Sequence, residues 1–460
     1  MNKSQLNRRR FIQRSLACAA GASPLMAMLS SLGQLEAAET GGDYKAIVCV
    51  LLEGGADVFN MIVPTEQNAY NQYKEAREGF GLKHEDLLSF THDNLNQLNP
   101  ITYGMRNNMT RMQGLFEEKK LSIIANVGTL VEPVTRQMIE GYQANLPTQL
   151  FSHYTQRLLW MLGNASKIER NGWAARAGNL FYPTSSSNPY FNVTVGGKNS
   201  LQLGGNVTAI EFEDAYISTN TMVANGFGAE SGGGALGAVY KALYEGKQNA
   251  DNKLMSAFSK RRVNELNQHA DLNGLFDSVE SFYGFAGGEN DFAKQLELVA
   301  QILSVKNAFP GQRKRQVFFV NHRGWDTHDG DNARQVGDLD QYLGAFQDAV
   351  GQLGLENNVT TFTISDFGRS LTSNGTGTDH GWGGHAFVMG GAVNGGDIYG
   401  KMPQLVLDSP DAWSDRMIPT TAMEEYLATI VKWFGATDAE LNTIFPNLST
   451  FTTNDMGFMG

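Results

Sequence analysis

Apolar and β-branched residues come in short unbroken runs along this chain: Ala46-Ile-Val-Cys-Val-Leu-Leu52, Leu121–Ala125, Val317-Phe-Phe-Val320 and Val359-Thr-Thr-Phe-Thr-Ile364. None alternates with polar positions, so each predicts a strand buried on both faces of a parallel sheet. The first run breaks into Glu53-Gly-Gly-Ala-Asp57, the second into Asn126-Val-Gly, and the last two into histidine- and acid-bearing loops. Between them lie patterns of helical period. The clearest is Met423, Tyr426, Leu427, Ile430, Val431 and Phe434, which opens on the capping box Thr421-x-x-Glu424 and closes at Gly435. Leu296–Val305 and Asp338–Leu353 are further amphipathic candidates. Strands alternating with helices predict an α/β fold with a doubly wound, mostly parallel sheet over residues 41–460. The stretch 182–237 is rich in Ser, Asn and Gly and 250–290 is polar and helical, so 182–290 reads as an inserted cap. Gly232-x-Gly234-x-x-Gly237 follows a Gly/Ser loop rather than a strand, and reads as a connector rather than a dinucleotide site.

The N-terminus changes the picture. Asn7-Arg-Arg-Arg-Phe11 precedes a mild apolar run, Leu16 to Leu32, and the small residues Ala37-Ala38. This predicts a signal peptide over residues 1–38 of the twin-arginine type, read by that translocation machinery, and a periplasmic or secreted protein. Gly21, Pro24 and Gly33 interrupt the run, which argues against a retained anchor and for no stable membrane span after processing. Removing those residues takes away five basic groups and one glutamate, moving the net charge from −11 to about −15. An acidic exported chain does not seek nucleic acid, and an anionic substrate would need metal or local arginine to offset the field. The mature part keeps one cysteine, Cys49, inside an apolar run, which excludes an intramolecular disulfide framework.

Candidate chemistry clusters late in the chain. Ser365 to Ala386 holds Asp366, Asp379, His380, His385 and Arg369 among six glycines, and His322-Arg-Gly-Trp-Asp-Thr-His328 lies upstream. Four of the eight histidines fall between positions 322 and 385. Neutral imidazole with carboxylate is the ordinary ligand set of zinc- and manganese-type ions. Asp326 and His328, one residue apart, point the same way on extended backbone and can share one ion. Asp57, after Gly54-Gly55, would read alone as a turn aspartate. Arg369 fits either an anionic oxygen or a structural ion pair. Whether His322 or His385 also ligates is left open.

Separated Asp and His residues at strand ends resemble the alkaline phosphatase superfamily of phosphatases, sulfatases and phosphoglycerate mutases. More closely, the chain resembles the bacterial exported family called domain of unknown function 1501. The matching pieces are Leu52-Glu-Gly-Gly-Ala-Asp57-Val-Phe-Asn60, Leu150-Phe-Ser-His-Tyr-Thr-Gln156, Asn171-Gly-Trp-Ala-Ala-Arg176, Gly324-Trp-Asp-Thr-His328, Ser365-Asp-Phe-Gly-Arg369, Asp379-His380 and Gly395-Gly396-Asp-Ile-Tyr-Gly400. The resemblance implies two divalent ions of zinc or manganese type, held by Asp57, Asp326, His328, Asp366 and His380, with Asp379 as the alternative partner of His380. It also implies a nucleophilic hydroxyl at a helix N-terminus, for which Ser152 is the candidate, although a plain N-cap explains Ser152 as well. The Asp326-x-His328 spacing is shorter than the superfamily's, and no Cys-x-Pro-x-Arg occurs, which disfavours a formylglycine sulfatase. The function implied is an exported metal-dependent hydrolase of phosphate or sulfate esters acting on a small anionic ester. The alternative is an exported binding or assembly protein that keeps the fold without the chemistry.

Overall fold

The computed structural model describes residues 44–93, 98–182, 190–205, 209–213, 218–219, 242–243, 245–247, 251–256, 258–260, 279, 281–282, 284–285, 290–308 and 314–460. The expected leader, the connector at 232–237 and most of 250–290 lie outside the described residues. In chain order the strands are β1 Lys45–Glu53, β2 Ile62–Pro64, β3 Leu87–Phe90, β4 Tyr103–Arg106, β5 Leu121–Gly128, β6 Asn192–Thr194, β7 Ile210–Glu213 and β8 Ser218–Thr219. They continue with β9 Arg315–Arg323, β10 Val359–Ser365, β11 Arg369–Ser373, β12 Thr378–His380, β13 Gly384–Met389, β14 Ile398–Tyr399, β15 Ala412–Trp413, β16 Arg416–Met417 and β17 Thr421–Ala422. The central sheet runs β14-β5-β13-β10-β1-β9-β6-β7-β8, with β17 alongside β5. β1 lies between β9 and β10 and is parallel to both, with Val48 opposite Phe318 and Thr361, while β13 runs antiparallel to β10 and β5. The segments 46–52, 317–320 and 359–364 are therefore neighbours in one mostly parallel sheet. The piece at Asn192–Thr194 is itself a strand of that sheet, beside β9.

Why the strands read as continuous apolar runs is visible in β1. Ala46, Val48, Val50 and Leu52 bury into one core, and Ile47, Cys49 and Leu51 into another on the opposite face. Each fully buried aliphatic side chain contributes roughly 1.5–3 kcal/mol, so alternation with polar residues would be costly on either face. The helices α1 Gln67–Arg77, α2 Thr110–Glu117, α3 Arg136–Glu140, α4 His153–Leu162, α5 Trp173–Phe181, α6 Asp291–Ser304, α7 Ala333–Gln352, α8 Met423–Phe434 and α9 Asp438–Ile444 flank it. α2, α6 and α7 pack on the first core, and α4, α5, α8 and α9 on the second. None of the described helices is long and apolar enough to cross a membrane.

Local rules hold with one shift. α8 starts at Met423, its N-cap is Ala422, and the side chain that reaches back to the N-cap N–H is Glu425 (3.1 Å), so of the box expected from Thr421 and Glu424 only the reach-back half forms, one residue on. The reason is tertiary: Thr421 pairs with Val127 in the sheet and its hydroxyl donates to the Ala125 carbonyl at 3.0 Å. The carboxyl ends of β1, β9 and β10 share one edge. Gly54 sits there at φ +124°, where a Cβ would come within 2.3 Å of the Asp326 amide nitrogen, so the loop after β9 closes against β1 only because no side chain intervenes.

Candidate metal centre

At that edge three imidazoles and a carboxylate meet. The ligand atoms of His153, Asp326, His328 and His380 all lie within 4.8 Å of one another. Asp326 and His328 hang on the loop after β9, while His380 ends β12, whose pairing with β11 sets it opposite Arg369. His153 is the first residue of α4. The His380 and His153 Nε2 atoms are 2.9 Å apart, those of His380 and His328 3.0 Å. Asp326 offers Oδ1 to His328 Nε2 at 3.1 Å and Oδ2 to His153 Nε2 at 3.4 Å.

The other ring nitrogens decide what this cluster can do. His153 Nδ1–H donates to Asp366 Oδ2 (2.9 Å), His328 Nδ1–H to Asp379 Oδ1 (3.2 Å) and His380 Nδ1–H to the Phe151 carbonyl (2.7 Å). These partners all accept, so they favour the tautomer protonated at Nδ1, and in that tautomer the three Nε2 lone pairs turn toward one another and toward Asp326. Three lone pairs face to face repel unless a cation lies between them. Tetrahedral ligands about 2.0–2.1 Å from zinc stand roughly 3.3 Å apart, inside the range of separations here, which starts at 2.9 Å and stays within 4.8 Å. The residues present therefore fit a divalent ion held by three imidazoles and one carboxylate. Burial holds the His380 imidazole below its ordinary value, helped by the neighbouring His153, Arg369 and His328 and opposed by the Phe151 hydrogen bond. That keeps it in the neutral, ligating form. The group is half-open to solvent, Asp326 and His328 being 46% and 43% exposed at their side chains, which leaves an approach for a small molecule.

The other candidates are placed differently. Asp366 is fully buried and accepts from His153, the Gly54 amide (3.2 Å) and Arg157, whose Nε and Nη2 lie 3.0 and 3.2 Å away. Asp57 is buried and ion-paired with Arg77, its amide donating to Asn332 Oδ1 at 3.2 Å, and it stands outside the converging group. Asp379 backs His328. Burial opposes its ionisation, but hydrogen bonds from Asn374 and His328 outweigh that and hold its carboxyl below the usual range. Arg369 is buried with Nη2 on Asp326 Oδ1 at 3.0 Å, and burial lowers its guanidinium below the ordinary value. Ser152 caps α4, its Oγ accepting from the Thr155 amide at 3.5 Å. His322 stacks on Phe292 (centroids 4.2 Å), His385 takes the Asn126 amide at 3.2 Å, and burial pushes both down to about 3. They are core histidines.

His153, Arg157 and Arg77 were missed by sequence reasoning. His153 stood inside a quoted motif, but its neighbour Ser152 drew attention as a helix start. The usable signal was the spacing His153-x-x-x-Arg157, two polar groups on one face of a helix that begins at the site edge.

No curated protein matches the sequence. Among solved structures the chain is similar to "Ps i-CgsB in complex with k-i-k-neocarrahexaose", at 10% identity and TM-score 0.36, covering 90% of this chain and 75% of that one. It is also similar to the PsFucS1 sulfatase from Pseudoalteromonas sp. (9% identity, TM-score 0.35, 91% and 73% covered). A third is the lipoteichoic acid synthase LtaP from Listeria monocytogenes (10%, TM-score 0.32, 86% and 74%). At this level of likeness they bear on neither substrate nor chemistry. The sequence itself is decisive: residues 44–414 match the family described as "Protein of unknown function (DUF1501)", and the chain belongs to that family.

Proposed function

We propose that this protein is an exported metal-dependent hydrolase of phosphate or sulfate esters, using one divalent ion of zinc or manganese type. The observation that carries the reading is the meeting of three Nε2 atoms beside Asp326, each ring having an acceptor at its Nδ1. A divalent ion there would supply a Lewis acid for an ester oxygen and a lowered pKa for bound water. His153, His328, His380 and Asp326 would hold it, and Asp366, Asp379 and the Phe151 carbonyl would set ring orientation. A second ion would need Asp57, whose charge Arg77 already balances. Arg369 beside Asp326 and Arg416, whose Nε donates to the His380 carbonyl at 2.9 Å, add positive charge where an anionic group would arrive. The twin-arginine leader read in residues 1–38 supports export.

One observation favours a second reading, an exported binding protein. The Ser152 hydroxyl is engaged in capping its own helix, so no serine nucleophile is assigned. Protein purified from the periplasm separates the two by metal analysis with assays on p-nitrophenyl phosphate and p-nitrophenyl sulfate. About one ion per chain and turnover abolished by chelator and restored by metal support the hydrolase. A folded, metal-free and inert protein supports the binder.

A further inference from the structure

Helix α4 offers two side chains to one carboxylate. His153 and Arg157 are four residues apart, hence on one face, and both end on Asp366. Four donors reach that carboxylate: His153 Nδ1, Arg157 Nε, Arg157 Nη2 and the Gly54 amide, at 2.9, 3.0, 3.2 and 3.2 Å. Three of them converge on Oδ2, more than its two lone pairs, and Arg157 Nε takes Oδ1, so the oxygen that meets His153 has no capacity left to ligate an ion. Its side chain is also wholly buried, whereas that of Asp326 is 46% exposed.

Resting on the metal-centre reading above, we infer that Asp366 and Arg157 are positioning residues for the bound ion, acting through His153 without touching the ion. An imidazole has two neutral tautomers, and only the one protonated at Nδ1 leaves Nε2 free for a cation. Asp366 selects that tautomer by accepting the Nδ1 proton. It can do so only if its oxygen is held in place, and Arg157 holds it, since its planar fork meets the two carboxylate oxygens side by side. The third arm, Arg157 Nη1, pairs with Glu53 at the end of β1, and Glu53 Oε2 accepts from Asn321 Nδ2 at 2.6 Å. The start of α4, and with it His153, is thereby held against the ends of β1, β9 and β10. A lysine at 157 would keep the charge but lose the fork.

Cobalt(II) binding tests this, read from its visible d–d absorption and by competition with a chelator, alongside urea unfolding of the metal-free proteins. The wild type should bind one equivalent. R157M and D366N should keep one equivalent and the same band shape while binding about 10–100-fold more weakly, with R157K in between. H153A, which removes a ligand, should lose or reshape the band. Unchanged cobalt affinity in R157M would overturn the inference and leave Arg157 as a staple between strand ends, visible only in the urea midpoint. A D366N spectrum altered like that of H153A would overturn it too, by making Asp366 a ligand. Should R157M fail to fold, R157K and D366N carry the same test. A wild type that binds no cobalt removes the metal centre and this inference together, whereas cobalt binding without ester hydrolysis removes only the hydrolase.

Discussion

Three aspartates follow strand ends at this edge, Asp57, Asp326 and Asp366, a fourth, Asp379, lies within β12, and their fates differ because their neighbours do. Asp326 faces three histidines, Asp366 and Asp379 each back one, and Asp57 is taken by Arg77. An aspartate's role was illegible in sequence, since nothing in the spacing links Asp57 to Arg77 at the end of α1, or Asp366 to Arg157 within α4. The Asp57–Arg77 pair makes a sharp prediction. Arg77 is wholly buried and also donates to Asn60 Oδ1 (3.1 Å) and the Ser370 carbonyl (2.8 Å). R77M strands a buried carboxylate and should cost about 3–5 kcal/mol, most of it returned in D57N/R77M. Urea unfolding reads this directly, and a loss under 1 kcal/mol in R77M would show that Asp57 does not depend on that partner. Ser152 makes a gentler one. As a cap, S152A should cost about 1 kcal/mol and leave cobalt affinity as in the wild type.

Elements were more legible than roles. Strands β1, β9 and β10 announce themselves because a strand buried on both faces has no polar position to interrupt the run, and the acids after them lie where a parallel sheet opens. The start of α8 was displaced because the pull of β5 on Thr421 is tertiary and leaves no trace in spacing. The displacement sends Glu424 inward, where it is fully buried and accepts from the Ala165 amide at 2.8 Å. Burial pushes its carboxyl up to about 7, against that hydrogen bond. An acid with a raised folded pKa binds more protons folded than unfolded between its ordinary value near 4.3 and 7. Its contribution is thus fully present below that window and lost as pH rises through it, by about 3.7 kcal/mol at most. E424Q has no proton to lose, so its stability relative to wild type should rise from pH 4.5 to 8. Urea midpoints in chelator check this, and a difference flat with pH would refute it. His322 and His385, pushed down to about 3, act oppositely, making both proteins lose stability as acidity increases from pH 6.5.

For the molecule as a whole, the centre is where distant parts of the chain are tied together. His153 comes from a helix on one face of the sheet, Asp326 and His328 from the loop after β9, and His380 from the β11–β12 pair beyond β10. Among the described residues these elements also join through protein contacts, such as Thr378 N–H to the Thr327 carbonyl at 3.2 Å. An ion that binds only the assembled set must still stabilise it by mass action, since the unfolded chain scatters the four ligands over positions 153 to 380. At a free concentration 100 times the dissociation constant the gain is about 2.7 kcal/mol, which in a domain of this size moves the melting temperature by about 3 °C. Chelator-treated protein should melt that much lower than protein refilled with zinc, and the shift should grow with the logarithm of zinc concentration. The chain's charge of −11 should help, by drawing cations toward the site from a distance. H380A should abolish the zinc-dependent shift while changing the metal-free melting temperature less, because its partly exposed imidazole ties only its Nδ1 to the backbone, at the Phe151 carbonyl. A zinc shift that persists in H380A would place the stabilising ion elsewhere in the protein.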